Sequence, residues 1–171
     1  NPTINSYKRI NAPVTASGAT WSPNTITYSG NNRTHMIRVP GPGRFELRLM
    51  DGATNPYLLQ AGIIAAGLDG IEKKRNPGKP VYVNMYEESH KVKGVKKLPS
   101  SIEKSLKHLN SSKVLNSAFG KSVVSSYIKL KNKEIKKYNS SMTKKLGFRG
   151  TQQSKKENII TQWEKDNTLD C

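Results

Sequence analysis

The stretch Tyr57 to Ile71, Y-L-L-Q-A-G-I-I-A-A-G-L-D-G-I, restricts the possible folds of this chain more than any other. Asn55 suits a helix N-cap, and Pro56 suits the first helical position, where its missing N–H is not needed. The predicted helix is apolar nearly all round, so burial is expected on every side rather than along one stripe. Its 15 residues are too few to cross a bilayer comfortably. No run of 18 apolar residues occurs, and no charged-then-apolar leader opens the sequence. Neither a transmembrane helix nor a signal peptide is therefore expected, and no membrane partner.

Charge is the next constraint, and its location matters more than its size. The 171 residues include 29 Lys and Arg against 12 Asp and Glu, a formal net charge of +17. Taken whole, that excess suggests a nucleic acid or an anionic surface as partner. Up to Ile71, however, the balance is only +3, carried by Lys8, Arg9, Arg33, Arg38, Arg44 and Arg48 against Glu46, Asp51 and Asp69. From Glu72 onward it is +14, and only Arg75 and Arg149 there are arginine. Dispersed lysine is usually a solvated coat, whereas arginine's planar fork suits fixed recognition of phosphate and carboxylate. Function is therefore expected in residues 1–71, with 72–171 a lysine-rich helical part of the same domain. The lone Cys171 excludes a disulfide framework and any multi-cysteine zinc site, which points to a reducing, cytoplasmic compartment. N-P-T-I-N-S-Y-K-R, without an initial Met, reads as the interior of a longer protein.

The local pattern predicts an α+β fold: antiparallel strands carrying arginines and a glutamate, packed with helices. Residues 1–25, with Pro2, Pro13, Gly18 and Pro23, read as a long loop. Strands are expected over Thr25–Ser29, Thr34–Val39 and Arg44–Leu49, the last two joined by a reversal at P-G-P-G. Residues 72–99 read as a basic connector. Ser100 and Glu103 form a possible capping box before Ile102, Leu106 and Leu109 at helical spacing, and a further helix begins near Ser122. Residues 140–157 read as a flexible surface insertion, and Asn158 to Asp166 as a short last helix.

On the third strand Arg44, Glu46 and Arg48 share one face, about 7 Å apart at alternate positions, with Phe45, Leu47 and Leu49 on the other. A carboxylate between guanidinium groups stays ionised. Glu46 could then ligate a hard cation while Arg33 and Arg38 help neutralise phosphate oxygens. The same alternation also describes a half-exposed surface strand with an ordinary cross-strand ion pair, and Glu46 alone lacks the several oxygens that a hard cation needs. His35 reads as a packed, hydrogen-bonded histidine; His90 and His108 read as solvent-facing. No G-x-x-x-x-G-K-[ST], no G-x-S-x-G and no His/Cys metal spacing is present.

Four blocks in order, N-P-T-I-N-S-Y-K-R, N-N-R-T-H-M-I-R-V-P, G-R-F-E-L-R-L and N-P-Y-L-L-Q-A-G-I-I-A-A-G-L-D-G-I, resemble the C-terminal part of the glutamine synthetase catalytic domain. S-G-A-T-W and the terminal T-Q-W-E-K-D-N-T-L-D resemble the subgroup of type III-like glutamine synthetases and γ-glutamylmethylamide synthetases. The resemblance implies that Arg9 and Arg48 hold the carboxylate of glutamate. It implies that Arg33 and Arg38 surround the nucleotide phosphates, with Arg33 at the transferring phosphoryl group, that Arg44 is a further nucleotide-side arginine, and that Glu46 belongs to the metal site. It also implies ATP and Mg2+ (or Mn2+) as cofactors, glutamate and ammonia or a small amine as substrates, and a ring-shaped homo-oligomer.

Two departures stand out. The segment after Lys8-Arg9, I-N-A-P-V-T-A-S-G-A-T-W, has no acid where many glutamine synthetases carry a flap glutamate, so the acceptor need not be ammonia. Tyr86 in N-M-Y-E-E occupies the place of a tyrosine that is adenylylated in some members, in an altered context. By the resemblance the chain is roughly the final two-fifths of an enzyme, and alone is expected to be inactive. The alternatives are an inactive paralogue or a basic nucleic-acid-binding protein; the arginine-based first region speaks against nucleic acid as the partner.

Overall fold

The computed structural model describes residues 2–11, 22–156 and 161–168, and their side chains apart from 9–11, 145–156 and 168. The first element is a helix, α1 (Ile4–Asn11), where the sequence reading expects loop. Thr3 and Ser6 account for it by bonding reciprocally at its start: Thr3 Oγ1 accepts from Ser6 N at 3.1 Å, and Ser6 Oγ accepts from Thr3 N at 3.3 Å. Tyr7 on α1 is buried in the core with Ile102, Leu106 and Ile135.

Three strands follow in spatial order β1 (Tyr28–Ser29), β2 (Ile37–Gly41) and β3 (Arg44–Leu47). β2 and β3 are antiparallel, but β1 runs parallel to β2, so the sheet is mixed rather than wholly antiparallel. The reversal falls at Pro42-Gly43, as P-G-P-G predicts, and Gly43 takes a φ of 76°, a conformation that glycine adopts without Cβ strain.

The connector over 72–99 is mostly irregular, yet it is stitched to the strands. Val81 N donates to Tyr28 O at 3.0 Å, Ile26 N to Lys96 O at 2.8 Å and Leu98 N to Asn24 O at 2.9 Å. α3 (Ile102–Ser111) starts one residue later than the capping-box reading: Ser101, not Ser100, is the N-cap and accepts from Lys104 N at 3.4 Å. α4 (Lys113–Phe119) leads into α5 (Lys121–Lys156). The backbone of α5 continues as helix over 140–156, the stretch expected as a surface insertion, and Tyr138 and Met142 at its beginning are buried. α6 (Gln162–Thr168) closes the described chain; Asn158 to Ile160 of the predicted last helix lie outside the described residues.

The apolar helix forms as α2 (Pro56–Glu72), with Asn55 Oδ1 accepting from Leu58 N at 3.0 Å and Pro56 in its first turn. Its burial does not follow. No α2 residue is buried, and Tyr57 and Ile71 are 82% and 75% exposed. Packing comes from α4, where Phe119 lies beside Gly62. The helix has apolar residues all round, and one short neighbour covers only one side.

Candidate active site

The cluster starts from strand register. In the β2–β3 pair Arg38 lies opposite Glu46, and Ile37 opposite Leu47. Arg38 and Glu46 therefore project from the same face of the hairpin. Arg38 Nη1 donates to Glu46 Oε2 at 2.6 Å, and its Nε donates to Asn31 Oδ1 at 2.8 Å. Arg38 is thus clamped on both sides of its guanidinium. Arg48, two residues after Glu46, places Nε 3.5 Å from Glu46 Oε1 and donates from Nη1 to the Arg33 carbonyl.

Glu46 is consequently an acid between two arginines. Hydrogen bonding from Arg38 is the main reason its carboxyl sits below the usual range, and the charges of Arg38, Arg48 and Arg33 act in the same direction. Its side chain is 46% exposed, so the pair faces solvent and contributes little to stability. The value of the arrangement lies in geometry: the guanidinium groups hold fixed positions beside an ionised carboxylate.

The block N-N-R-T-H-M is wired residue by residue. Asn32 Oδ1 accepts from Thr34 N at 3.0 Å and Thr34 Oγ1 at 2.8 Å, while its amide donates to Val83 O at 3.2 Å. Thr34 Oγ1 accepts from Met85 N at 3.0 Å. His35, fully buried, contacts Thr27 Oγ1 through Nδ1 at 2.9 Å and Val83 O through Nε2 at 3.1 Å. Because a carbonyl only accepts, Nε2 carries the proton and Nδ1 accepts from Thr27. Burial lowers the His35 pKa and favours this neutral form. These bonds tie the turn bearing Arg33 to the 81–86 segment. His35 is thus packed and hydrogen-bonded, and His90 and His108 are exposed, as their sequence settings suggest.

The structure therefore brings Arg38, Glu46 and Arg48 into contact, with Arg33 joined through its carbonyl and its field. Arg44 pairs with Gly41 across the turn and is exposed; its side chain has no described contact with Glu46. Arg9 lies on α1, with its side chain outside the described residues. Phe45, on the opposite strand face, is exposed rather than packed. Two neighbours that the sequence does not place in the cluster join it, Tyr86 being singled out by sequence only as the counterpart of an adenylylated tyrosine. Asn31 clamps Arg38, with only its position in N-N-R as a signal. Tyr86 lies near Arg48: burial raises its phenol pKa and the Arg48 guanidinium opposes that rise.

Among the described residues no three His, Cys, Asp or Glu side chains gather as a metal centre. Both oxygens of Glu46 already face arginines. A hard cation takes six or more oxygens, so these residues do not by themselves make a divalent-metal site. A cavity of about 540 Å³ between α2, α4 and α5, lined by Leu58, Leu59, Phe119, Val124 and Tyr127 among others, is apolar and separate from the arginines. No helix among the described residues is long and apolar enough to cross a membrane.

Comparison with known proteins gives a consistent result. The family model described as "Glutamine synthetase, catalytic domain" matches residues 1–146. A glutamine synthetase of Rhizobium leguminosarum bv. phaseoli is 53% identical over 170 residues, covering 99% of this chain and 35% of the relative. A glutamate-methylamine ligase of Methyloversatilis universalis is 45% identical over 140 residues, covering 80% of this chain and 31% of that protein. A solved structure titled as a GmaS/ADP complex superposes with a TM-score of 0.75 at 48% identity, over all of this chain and 35% of the other. The chain spans about a third of the length of these relatives.

Proposed function

The chain belongs to the glutamine synthetase family, and from that membership we propose that it is part of an ATP-dependent ligase that joins glutamate to ammonia or a small amine. In this reading a γ-carboxylate oxygen of glutamate attacks the γ-phosphorus of ATP and ADP leaves. The amine nitrogen then attacks the acyl carbon of γ-glutamyl phosphate, loses a proton and expels phosphate.

The supporting observation is the Arg38–Glu46–Arg48 contact, with the Arg33 carbonyl tied to Arg48. Phosphoryl transfer spreads charge over equatorial oxygens, and cations already fixed in place stabilise it without reorganising. A guanidinium has five N–H donors, and contacts among the described residues engage three on Arg38. Arg38 can therefore serve a phosphate oxygen without leaving Asn31 and Glu46.

Arg33, Arg38 and Arg44 take the nucleotide side, with Arg33 at the transferring phosphoryl group; Arg9 and Arg48 take the glutamate carboxylate. Glu46 would contribute one oxygen to a Mg2+ or Mn2+ site that needs further oxygen ligands, and the metal would help neutralise the phosphate charge. Residues 1–71 carry these contacts and 72–171 form the lysine-rich support. The enzyme acts in the cytoplasm as a homo-oligomer.

The test is phosphate release by the complete gene product with ATP, glutamate and either ammonia or methylamine. Release that requires glutamate supports the ligase, and the faster acceptor identifies the amine. Phosphate release indifferent to glutamate contradicts the reading.

A further inference from the structure

We infer that Glu164 on α6 is a positioning residue for the Y-K-R turn of α1, acting through its buried ion pair with Lys8. Lys8 Nζ lies 2.6 Å from Glu164 Oε2, with the two side chains 10% and 0% exposed. They are 156 positions apart, so this contact fastens one end of the described chain to the other. Lys8 immediately precedes Arg9, and fixing Lys8 fixes the backbone that carries Arg9. The inference thus rests on the proposed role of Arg9 in holding glutamate.

Glu164 is itself held rigidly. T-Q-W-E forms a capping box: Glu164 N donates to Thr161 Oγ1 at 3.3 Å, and Glu164 Oε2 accepts from Thr161 N at 2.7 Å. The same oxygen accepts from Thr161 Oγ1 at 2.8 Å as well as from Lys8. α6 has a second anchor in Trp163, which meets the Tyr138 ring edge-to-face with centroids 5.2 Å apart. Tyr138 is buried, and its phenol is pushed up to about 12, first by burial and then by the charge of Glu164.

A buried ion pair is weak evidence for stability, since desolvation offsets its attraction; its best-attested use is to specify register. Here the register specified is that of α1 against α6. α6 also lies beyond residue 146, where the family match ends. It therefore clasps the substrate-side helix from outside the matched module.

Four forms of the complete gene product test this: wild type, Glu164→Gln, Thr161→Ala, and the double variant Lys8→Met with Glu164→Leu. Amide exchange over residues 4–11 is read beside KM for glutamate and for ATP. Glu164→Gln is expected to speed exchange in α1 and raise KM for glutamate about tenfold, with KM for ATP changed less than about twofold. Thr161→Ala removes the two bonds of Thr161 Oγ1 to Glu164 but leaves the ion pair and the Thr161 N bond, so it is expected to lower the melting temperature and to move both readouts less than Glu164→Gln does. The double variant recovers the melting temperature but not KM.

Unchanged α1 exchange in Glu164→Gln, or recovery of KM in the double variant, overturns the inference. Wild-type protein without glutamate-dependent turnover, whose α1 exchange still responds to Glu164→Gln, overturns the ligase reading and leaves the clasp standing.

Discussion

Arg38 and Glu46 stand opposite each other in the antiparallel β2–β3 pair and close a hydrogen bond of 2.6 Å between Nη1 and Oε2. The turn alone does not set this register: Gly41 faces Arg44 across it, and a one-residue irregularity between Arg38 and Gly41 shifts the pairing so that Arg38, rather than its neighbour Val39, meets Glu46. Removing the arginine should therefore be legible in the acid. In Arg38→Ala the Glu46 carboxyl is expected to titrate higher, toward its ordinary 4.5. Arg38→Lys should recover part of the depression, because the charge returns without the fork that bonds Asn31 and Glu46 together. Carboxyl-carbon NMR titration reads this directly; a Glu46 pKa unmoved in Arg38→Ala contradicts the pairing.

His35 predicts an acid-sensitive fold. Its folded-state pKa lies below 6.5, because burial disfavours the charged ring. As pH falls through 6.5 the unfolded chain takes up a proton that the folded one refuses, so stability is lost from there down to the lowered value. The slope approaches about 1.4 kcal/mol per pH unit within that window. Urea unfolding between pH 8 and 5 should show it, and His35→Gln should flatten it. An equal slope in that variant assigns the effect to another group.

Much of this was local enough to be read in sequence. Asn55-Pro56 starts α2 by a cap and a preset φ, and P-G-P-G sets the hairpin; both signals span a few residues. The Arg38–Glu46 pair also needs the one-residue irregularity between Arg38 and Gly41, which no local signal announces. What else sequence did not reveal was set by partners distant in the chain. Lys8 meets Glu164 across 156 positions. His35 meets Val83 only once the 72–99 connector has returned along the strands. α2 is the reverse case: its helical nature was legible, but what covers it is not a property of its own sequence.

That exposure yields a third prediction. Tyr57, Ile64, Leu68 and Ile71 follow one another at helical spacing on α2 and are all exposed, the kind of apolar stripe that marks a surface meant to be covered. The 171-residue chain alone should bind a hydrophobic dye and self-associate, and Ile64→Lys should reduce both. In the complete gene product the same substitution should instead lower stability by about 2 kcal/mol or more, as a charge placed against a covered helix does. Equal tolerance in both forms means that α2 stays uncovered.

Gly43 supplies a smaller test. Nothing lies within 4 Å of a Cβ built there, so only its φ of 76° opposes substitution. Gly43→Ala should cost about 1 to 2 kcal/mol by denaturant unfolding. A neutral effect means that the turn relaxes to another type.

The most direct test is steady-state kinetics of the complete gene product with Arg48→Ala, varying glutamate and ATP separately while following phosphate release. Arg48 touches Glu46 and the Arg33 carbonyl, so it sits where both substrates are proposed to meet. The predicted result is a fall in kcat/KM for glutamate of about a hundredfold or more, in a protein whose melting temperature stays near that of the wild type. Undiminished glutamate-dependent phosphate release from a folded Arg48→Ala protein would contradict the arginine–glutamate cluster as the ligase site.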